Sequence, residues 1–529
     1  MLESESSTRS GWKWGVILFL ILLVAVAVRV YWAAGFIPKD DAEFAEVAYR
    51  ISQGTFAYGR YEGPPVIPVR TGIVLPTAAA MALFGPGEVQ IAAYPLLTSV
   101  LLMLLIYFFS ARMFGHKAAI IASVAWVFLP MDYEMATMLW PEVPTTAFAF
   151  LGVYCIYVAR SRDDLSQRAR FLYGLAGGLA FGASWLCKES VVYFVPFCLA
   201  VMVFDFRRTR FQRLGMWVGV AAGSLAVLTA EMLVYGVING DWLYRFAAMN
   251  RNYHLYPEFF FTEGARFGYP AGTPFWKAVM KRIAIDGPAI IFLQPHFLYL
   301  PSFGAIAALY GWYRRDSRFY FMAGLFVVLA VMFNGFSASL QTYQPLPLFS
   351  RYFYPICVPA VILTGGMLAS LTRSVDLGSV WQTRPESFFW GGILIAALAG
   401  SAAWSTFRQF RDHKGTWSAA EKYLASVISP KDRVHADALS RNGLEFFWRY
   451  PGEMNVLVYG EPGRPIVVGC NDYVLKNRSY IEWLTANYGM WLTLRGFELP
   501  AVVQKPPENW RVQWTNDNAT LFKVTCGNP

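Results

Sequence analysis

The stretch Asp40–Gly54, DDAEFAEVAYRISQG, follows the first apolar segment of the chain and decides how the remainder is read. Phe44, Val47, Ala48 and Ile51 recur at i, i+3, i+4 and i+7, the spacing of one apolar helix face. Glu43, Glu46, Arg50 and Gln53 fall on the opposite face. Asp40 and Glu43 have the spacing of a capping box, which makes Asp40 the expected N-cap. Such a helix is expected to lie along a membrane surface and to hold two adjacent carboxylates, Asp40 and Asp41, at the water boundary.

The composition agrees with a membrane setting. Of 529 residues, 56% are hydrophobic and only 15% are charged, and the mean hydropathy is +0.37. These values exclude an ordinary soluble protein and a disordered chain, and favour a polytopic helical membrane protein. The net charge of +10 would suit nucleic acid, but the basic residues cluster in short loops between apolar runs, as membrane topology requires. The first run, 14–34, is too long for a typical signal-peptide core and has no convincing cleavage site, so it is read as a retained anchor.

Apolar runs cover 14–34, 89–111, 118–136, 143–159, 171–186, 190–206, 214–237, 289–311, 319–337, 352–372 and 388–407. The length rule makes these about eleven spans, several of them short. Every second loop is basic: Arg112 and Lys117, then Arg160 to Arg170, Arg207 to Arg213, Arg314 to Arg318, and Arg373 with Arg384. Those loops are assigned to the cytoplasm, with the N-terminus inside and the C-terminus outside. Loop 35–88, loop 238–288, the Trp140–Glu142 corner, the Lys188–Glu189 turn, loop 338–351 and the tail then share the outer face, where function is expected.

Within these segments, Thr71–Phe84 reads as a second interfacial helix, and Pro274–Ile285 as a helix closing an aromatic-rich loop. From 408 the composition changes. Trp417–Val427 reads as helix, with strand-like runs at 455–459, 465–468 and 510–524, giving a small α/β domain. The expected division is therefore a membrane module, 1–407, and an extracytoplasmic domain, 408–529. Cys470 and Cys526 lie in that tail, where an outside location permits a disulfide.

Several residues have the chemistry for a site. Asp40 and Asp41 suit a helix start, and equally suit a general base for an acceptor hydroxyl or a metal site. Glu142 sits between prolines in WPEVP, which fix the backbone of an external turn. Asp132 and Glu134 lie inside an apolar run, as intramembrane functional groups or as the early end of the third span. Lys188 and Glu189 form either a local salt bridge or, through Lys188, a fixed cation for a lipid-linked phosphate. Arg351, in FSRYFYPICVP, suits bidentate phosphate recognition. An outer-face Lys and Arg run against the positive-inside bias and need a reason of their own.

The order of these motifs resembles the GT-C glycosyltransferases. The carrying segments are DDAEFAEVAYRISQG, the PVIPV loop with LFG, the outer acidic corner, GLAFGASWLCKESVVYFVP and RYFYPICVPAVILTG. The branch resembled contains protein O-mannosyltransferases, the lipid A aminoarabinose transferase and bacterial transferases using polyprenyl-phosphate sugars. The resemblance spans about residues 12–375. It implies a GT-C fold of mainly α class, with the interfacial helices and small C-terminal α/β domain described above.

The resemblance also implies transfer of a sugar from a polyprenyl phosphate to an acceptor hydroxyl, with inversion. It makes Asp40, in the first outer loop, the base that deprotonates the acceptor hydroxyl, supported by Asp41, and Glu142 the second acidic position. Lys188, Arg351 and Tyr352 become the donor-phosphate contacts. Two departures stand out: the family's His-Pro-Pro appears here as Gly63-Pro64-Pro65, and the tail has no MIR-type repeat. No essential cofactor is expected; Asp40, Asp41 and Glu142 are the places where a divalent metal would bind. Expected partners are the lipid-linked donor, a lipid, glycan or protein acceptor, and the bacterial inner or plasma membrane, but no nucleic acid. A transporter or flippase is the alternative, yet the charged groups gather at one face instead of the midplane. A receptor using the tail as a binding module leaves Asp40, Lys188 and Arg351 without a shared role.

Overall fold

The computed structural model describes the chain apart from residues 1, 34, 38–39, 59–60, 62, 210–211, 256–272, 338–342, 344, 374–399, 401–417, 452, 460–465, 478–499, 517–518 and 526–529. The helices run α1 (Leu2–Tyr31), α2 (Asp40–Ser52), α3 (Val66–Val69), α4 (Thr71–Phe84), α5 (Glu88–Phe114), α6 (His116–Val127), α7 (Pro130–Met135), α8 (Glu142–Ser161) and α9 (Gln167–Cys187). After a 3-10 turn at Glu189–Phe194 come α10 (Val195–Thr209), α11 (Leu214–Asn239), α12 (Tyr244–Leu255), α13 (Phe275–Lys281), α14 (Gly287–Leu293), α15 (Leu300–Tyr313), α16 (Ser317–Gly335) and α17 (Tyr354–Arg373). The tail contributes α18 (Ala419–Val427), α19 (Ala438–Phe447) and five strands.

Seven helices among the described residues are long and apolar enough to cross a membrane. Their lipid-facing sides carry exposed apolar residues such as Phe19 and Leu23 on α1 and Leu225 and Val237 on α11. The chain is an integral membrane protein. The expected eleven spans are corrected in detail. The third run breaks at Leu129, whose extended backbone precedes Pro130, since proline disfavours a helical residue before it. Asp132 and Glu134 thus sit on the short α7. The eighth run is interrupted near Pro295, where Gln294 is extended and Leu298 and Tyr299 are left-handed. The fifth run forms α9, a 21-residue helix with several glycines and alanines. The eleventh lies outside the described residues.

Small residues explain the tightest helix contact. Gly174 and Gly178 on α9 pack against Gly219 and Gly223 on α11, and Gly182 against Val227. A Cβ at Gly178 would lie 2.2 Å from the Val220 carbonyl oxygen, and one at Gly223 2.4 Å from that of Leu175. Only a small-xxx-small pattern lets two backbones approach so closely in lipid.

The apolar face of α2 is as expected from its spacing: Phe44, Val47 and Ala48 are buried, and Ile51 is half-buried. Its location is not. The helix packs against α4 and against α19 of the tail, so that face is covered by protein instead of lipid. On the polar face Glu46 and Arg50 form an i,i+4 ion pair at 2.5 Å.

The tail folds around a mixed sheet in the order β2 (Val456–Val458), β1 (Val434–Ala436), β3 (Tyr473–Asn477), β5 (Ala519–Val524), β4 (Trp510–Thr515). β1 is parallel to β2 and β3, while β5 is antiparallel to β3 and β4. The expected strand at 465–468 has no counterpart among the described residues, and β1 and β3 were not foreseen. Both are short, largely buried strands without the two-residue alternation that marks a half-exposed strand. Cys470 is disulfide-bonded; Cys526, its expected partner, lies outside the described residues.

Candidate functional site

Four separated segments deliver the expected site residues to one place. Asp40 opens α2 as its first residue, instead of preceding it as a cap. Glu142 opens α8, Lys188 follows the last residue of α9, and Arg351 and Tyr352 lie in the 3-10 turn Ser350–Phe353 before α17. Arg351 donates from its NH1 nitrogen to Asp40 Oδ2 at 2.7 Å, and its Nε lies 3.8 Å from Glu142 Oε1. Lys188 Nζ donates to the same Glu142 oxygen at 2.6 Å and sits 4.0 Å above the Tyr352 ring. The Arg351 guanidinium is 4.5 Å from the centre of the Trp140 ring. Aromatic faces beside both cations hold them by cation–π attraction without neutralising them.

Asp41 does a different job from Asp40. It is completely buried. Oδ2 accepts from Ile37 N at 3.2 Å and Oδ1 from Leu139 N at 3.1 Å. One carboxyl thus ties the start of α2 to the Leu139–Glu142 corner, fixing the two acidic segments to each other. Burial pushes this carboxyl up to about 8, with the Asp40 charge adding and the two backbone N–H groups and Arg351 opposing.

Glu142 and Lys188 are each only 5% exposed: prolines fix the corner expected as an external turn, but the Glu142 side chain is buried against Lys188 and Arg351. Burial has not left it fully paired. Among the described residues, Glu142 Oε2 and Trp140 Nε1 are buried without a hydrogen-bond partner. By contrast the Asp40 and Arg351 side chains remain 27% and 22% exposed.

The local Lys188–Glu189 salt bridge considered from the sequence does not form. Glu189 instead accepts from Arg70 at 2.8 Å and lies 4.0 Å from Arg245. Arg245 bonds Glu231 at 2.7 Å, the Val69 carbonyl at 2.9 Å and the Trp185 carbonyl at 2.6 Å. Arg70, Arg245 and Glu231 were missed by sequence reasoning, because nothing local distinguishes them from ordinary loop or helix charges. Gly72 marks the contact: a Cβ there would be 2.7 Å from Cys187 N, so the Arg70–Gly72 backbone lies directly on the turn that carries Lys188.

Beside that turn is an apolar cavity of about 290 Å³. Its walls include Trp185, Val191, Val195, Leu199, Trp217 and Leu228, from α9, the following turn, α10 and α11. Among the described residues no three His, Cys, Asp or Glu side chains are placed to hold a metal ion.

The chain is thus a broken-helix membrane bundle with two adjacent acids after its first long helix and a small mixed α/β domain at its end. The family model for dolichyl-phosphate-mannose-protein mannosyltransferase matches residues 73–233. Among curated proteins none matches the chain. ArnT from Cupriavidus metallidurans bound to undecaprenyl phosphate superposes with a TM-score of 0.58 at 15% identity, covering 98% of each chain. The Archaeoglobus fulgidus oligosaccharyltransferase AglB, in complex with an inhibitory peptide and a dolichol-phosphate, gives 0.56 at 14% identity, over 92% of this chain and 72% of that one. An Archaeoglobus fulgidus oligosaccharyltransferase tethered with an acceptor peptide gives 0.57 at 13% identity, over 97% of this chain and 74% of that one. At such identities the likeness defines the fold, which is the GT-C fold.

Proposed function

We propose that the protein is a membrane glycosyltransferase that moves a sugar from a polyprenyl-phosphate donor to an acceptor hydroxyl outside the cytoplasm. The observation that carries this is the meeting of Asp40, Glu142, Lys188 and Arg351 at one place; an apolar cavity is lined in part by the turn that follows Lys188. A donor of this class has three parts, and each finds a suitable surface. The cavity suits the lipid chain, Lys188 and Arg351 suit the phosphate, and the half-exposed Asp40 faces the side from which an acceptor arrives.

Asp40 takes the proton of the acceptor hydroxyl. The oxygen attacks the anomeric carbon from the face opposite the phosphate, and the carbon–oxygen bond to phosphate breaks with inversion. The leaving phosphate gains negative charge, which Lys188 and Arg351 stabilise in a site largely closed to water. Arg351 has to release Asp40 for this to work, and a phosphate competing for the same guanidinium provides the release. Glu142 holds Lys188 in place. A divalent metal fits the acids poorly: Asp40 and Glu142 each carry a basic partner, and both Asp41 oxygens accept backbone N–H groups. No step needs one.

The alternating basic loops support an N-terminus inside and the tail outside the inner or plasma membrane. A reporter active only outside the cytoplasm should work when fused after residue 529 and fail within 160–170; the reverse pattern overturns the orientation. The activity is tested by incubating purified protein with radiolabelled polyprenyl-phosphate sugars and envelope fractions. Label moving to an envelope component, and lost with Asp40→Asn, supports transfer. Labelled lipid merely crossing a reconstituted vesicle would favour a transporter. The sugar and the acceptor are read from the labelled product.

A further inference from the structure

We infer that the tail domain is part of the transfer machinery: the aromatic end of α19 sets the position of the Asp40–Asp41 pair. This rests on the assignment of Asp40 as the base. The Phe446 ring lies parallel to Phe36 at 4.0 Å with an interplanar angle of 3°, and both residues are buried. Phe447 meets Phe36 edge-on at 5.7 Å. One turn further, Tyr450 stacks on Tyr49 of α2 at 4.5 Å. Lys422 of α18 reaches Glu88 Oε2 at 2.8 Å, and the other oxygen of that carboxylate accepts from Phe36 N at 3.2 Å. The tail therefore grips Phe36 twice, at its ring and, through Glu88, at its backbone.

The grip is close in sequence to the acids. Ile37, the next residue, donates its N–H to Asp41, and Asp41 is also bonded to the Leu139–Glu142 corner. A continuous chain of contacts runs from Phe446 through Phe36 and Ile37 to Asp41, and from there to Asp40 and Glu142. The Lys188 and Arg351 turns lie outside the stretch from Phe446 to Asp41 and meet it only at its far end, through Glu142 and Asp40.

The backbone at the grip is strained. Arg449 and Tyr450 are consecutive non-glycine residues with φ of 59° and 57°. Left-handed conformations persist at such residues only where the surroundings over-determine them, and they cluster where geometry serves function. Here they turn the chain so that Tyr450 comes to lie on Tyr49. An ordinary helix end followed by an extended chain would not bring that ring back.

Phe446 and Tyr450 are thus positioning residues, and loosening them is expected to separate turnover from donor binding. In full-length protein, Tyr450→Ala and Phe446→Ala should lower kcat by roughly 10- to 100-fold, the effect of a base displaced by about an ångström. Affinity for polyprenyl phosphate, the probe for the cation site, should stay within about twofold, because Lys188 and Arg351 stand on segments that the tail does not grip, the turn after α9 and the 3-10 turn before α17. Tyr450→Phe keeps the stack and should restore turnover. Hydrogen exchange at Phe36 to Ala45 should rise in the alanine variants and not around residues 184–194. Unchanged kcat, or polyprenyl phosphate affinity falling in step with kcat, overturns the inference. If Phe446→Ala does not fold, Tyr450→Ala and Lys422→Glu carry the test. A wild-type protein that binds polyprenyl phosphate but transfers no sugar sinks the glycosyltransferase reading itself; rising exchange at Phe36 to Ala45 in the variants would still show the grip.

Discussion

Two buried clusters of charge in this protein look alike by residue type and differ in what they leave open. Where α1, α5, α7 and α17 meet, Arg29 pairs with Asp132, Ser99 bonds both partners, and the Tyr354 hydroxyl donates to Asp132. All four side chains are buried, and Arg29 also donates to the Ala25 carbonyl at 3.0 Å. Its groups hold one another in a closed knot. The Asp40–Arg351–Glu142–Lys188 cluster also pairs opposite charges, but Asp40 and Arg351 are partly exposed, and Glu142 Oε2 has no partner among the described residues. A closed network rigidifies a bundle; an open one has partners to exchange. Buried charge therefore marks function only where some of its bonding capacity is left over.

The sharpest way to break that contrast is a pair of isosteric changes. Asp40→Asn should leave the protein folded and able to bind polyprenyl phosphate while sugar transfer falls by roughly two orders of magnitude or more. Asp132→Asn should do the opposite: it leaves Arg29 buried opposite a neutral group and costs about 3–5 kcal/mol of stability, with the catalytic rate of folded protein preserved. Thermal unfolding and rates per folded molecule check both. Full transfer by Asp40→Asn would remove its role as base, and a stable but inactive Asp132→Asn would put the chemistry in the knot.

Lys188→Ala should combine both effects, since it strands Glu142 in a buried site at about 3–5 kcal/mol and removes a phosphate cation. Adding Glu142→Gln should recover much of the stability and none of the donor affinity. Recovery of donor affinity in the double variant would make Lys188 a purely structural partner.

Arg351→Lys keeps the charge and loses the planar fork, so donor affinity should fall by about tenfold, less than in Arg351→Ala. Equal losses in both variants, measured as KM for the donor, would mean that geometry at Arg351 matters as much as charge.

A further effect is the pH dependence of Asp41. Its carboxyl is raised by burial from 3.8 to about 8, so the folded state takes up a proton over that interval. The stabilisation is complete below the unfolded value and is lost as pH rises toward 8. Unfolding midpoints should therefore decline from mildly acidic to mildly alkaline pH. Asp41→Asn should flatten that slope while costing about 1–3 kcal/mol, because one backbone N–H then meets an amide instead of an oxygen. An unchanged slope would place the titrating group elsewhere.

The sequence by itself determined the membrane character, the amphipathic α2 and the set of acids and bases gathered on one face. These follow from composition, helical spacing and alternating basic loops, which are properties of neighbouring residues. It also pointed to Asp40, Glu142, Lys188, Arg351 and Tyr352, through local motifs and the GT-C resemblance. Tertiary structure decided who pairs with whom. Lys188 turned from its neighbour Glu189 to Glu142, Glu189 took Arg70, and the two aspartates divided into one that faces the site and one that ties segments together. It also decided that the apolar face of α2 is covered by the tail and not by lipid. The physical reason is range. Periodicity reports which side of an element is apolar, but a charge lowers its energy with whichever opposite charge the fold brings within reach. That partner can be 46 residues away, as for Lys188 and Glu142, or 311, as for Arg351 and Asp40.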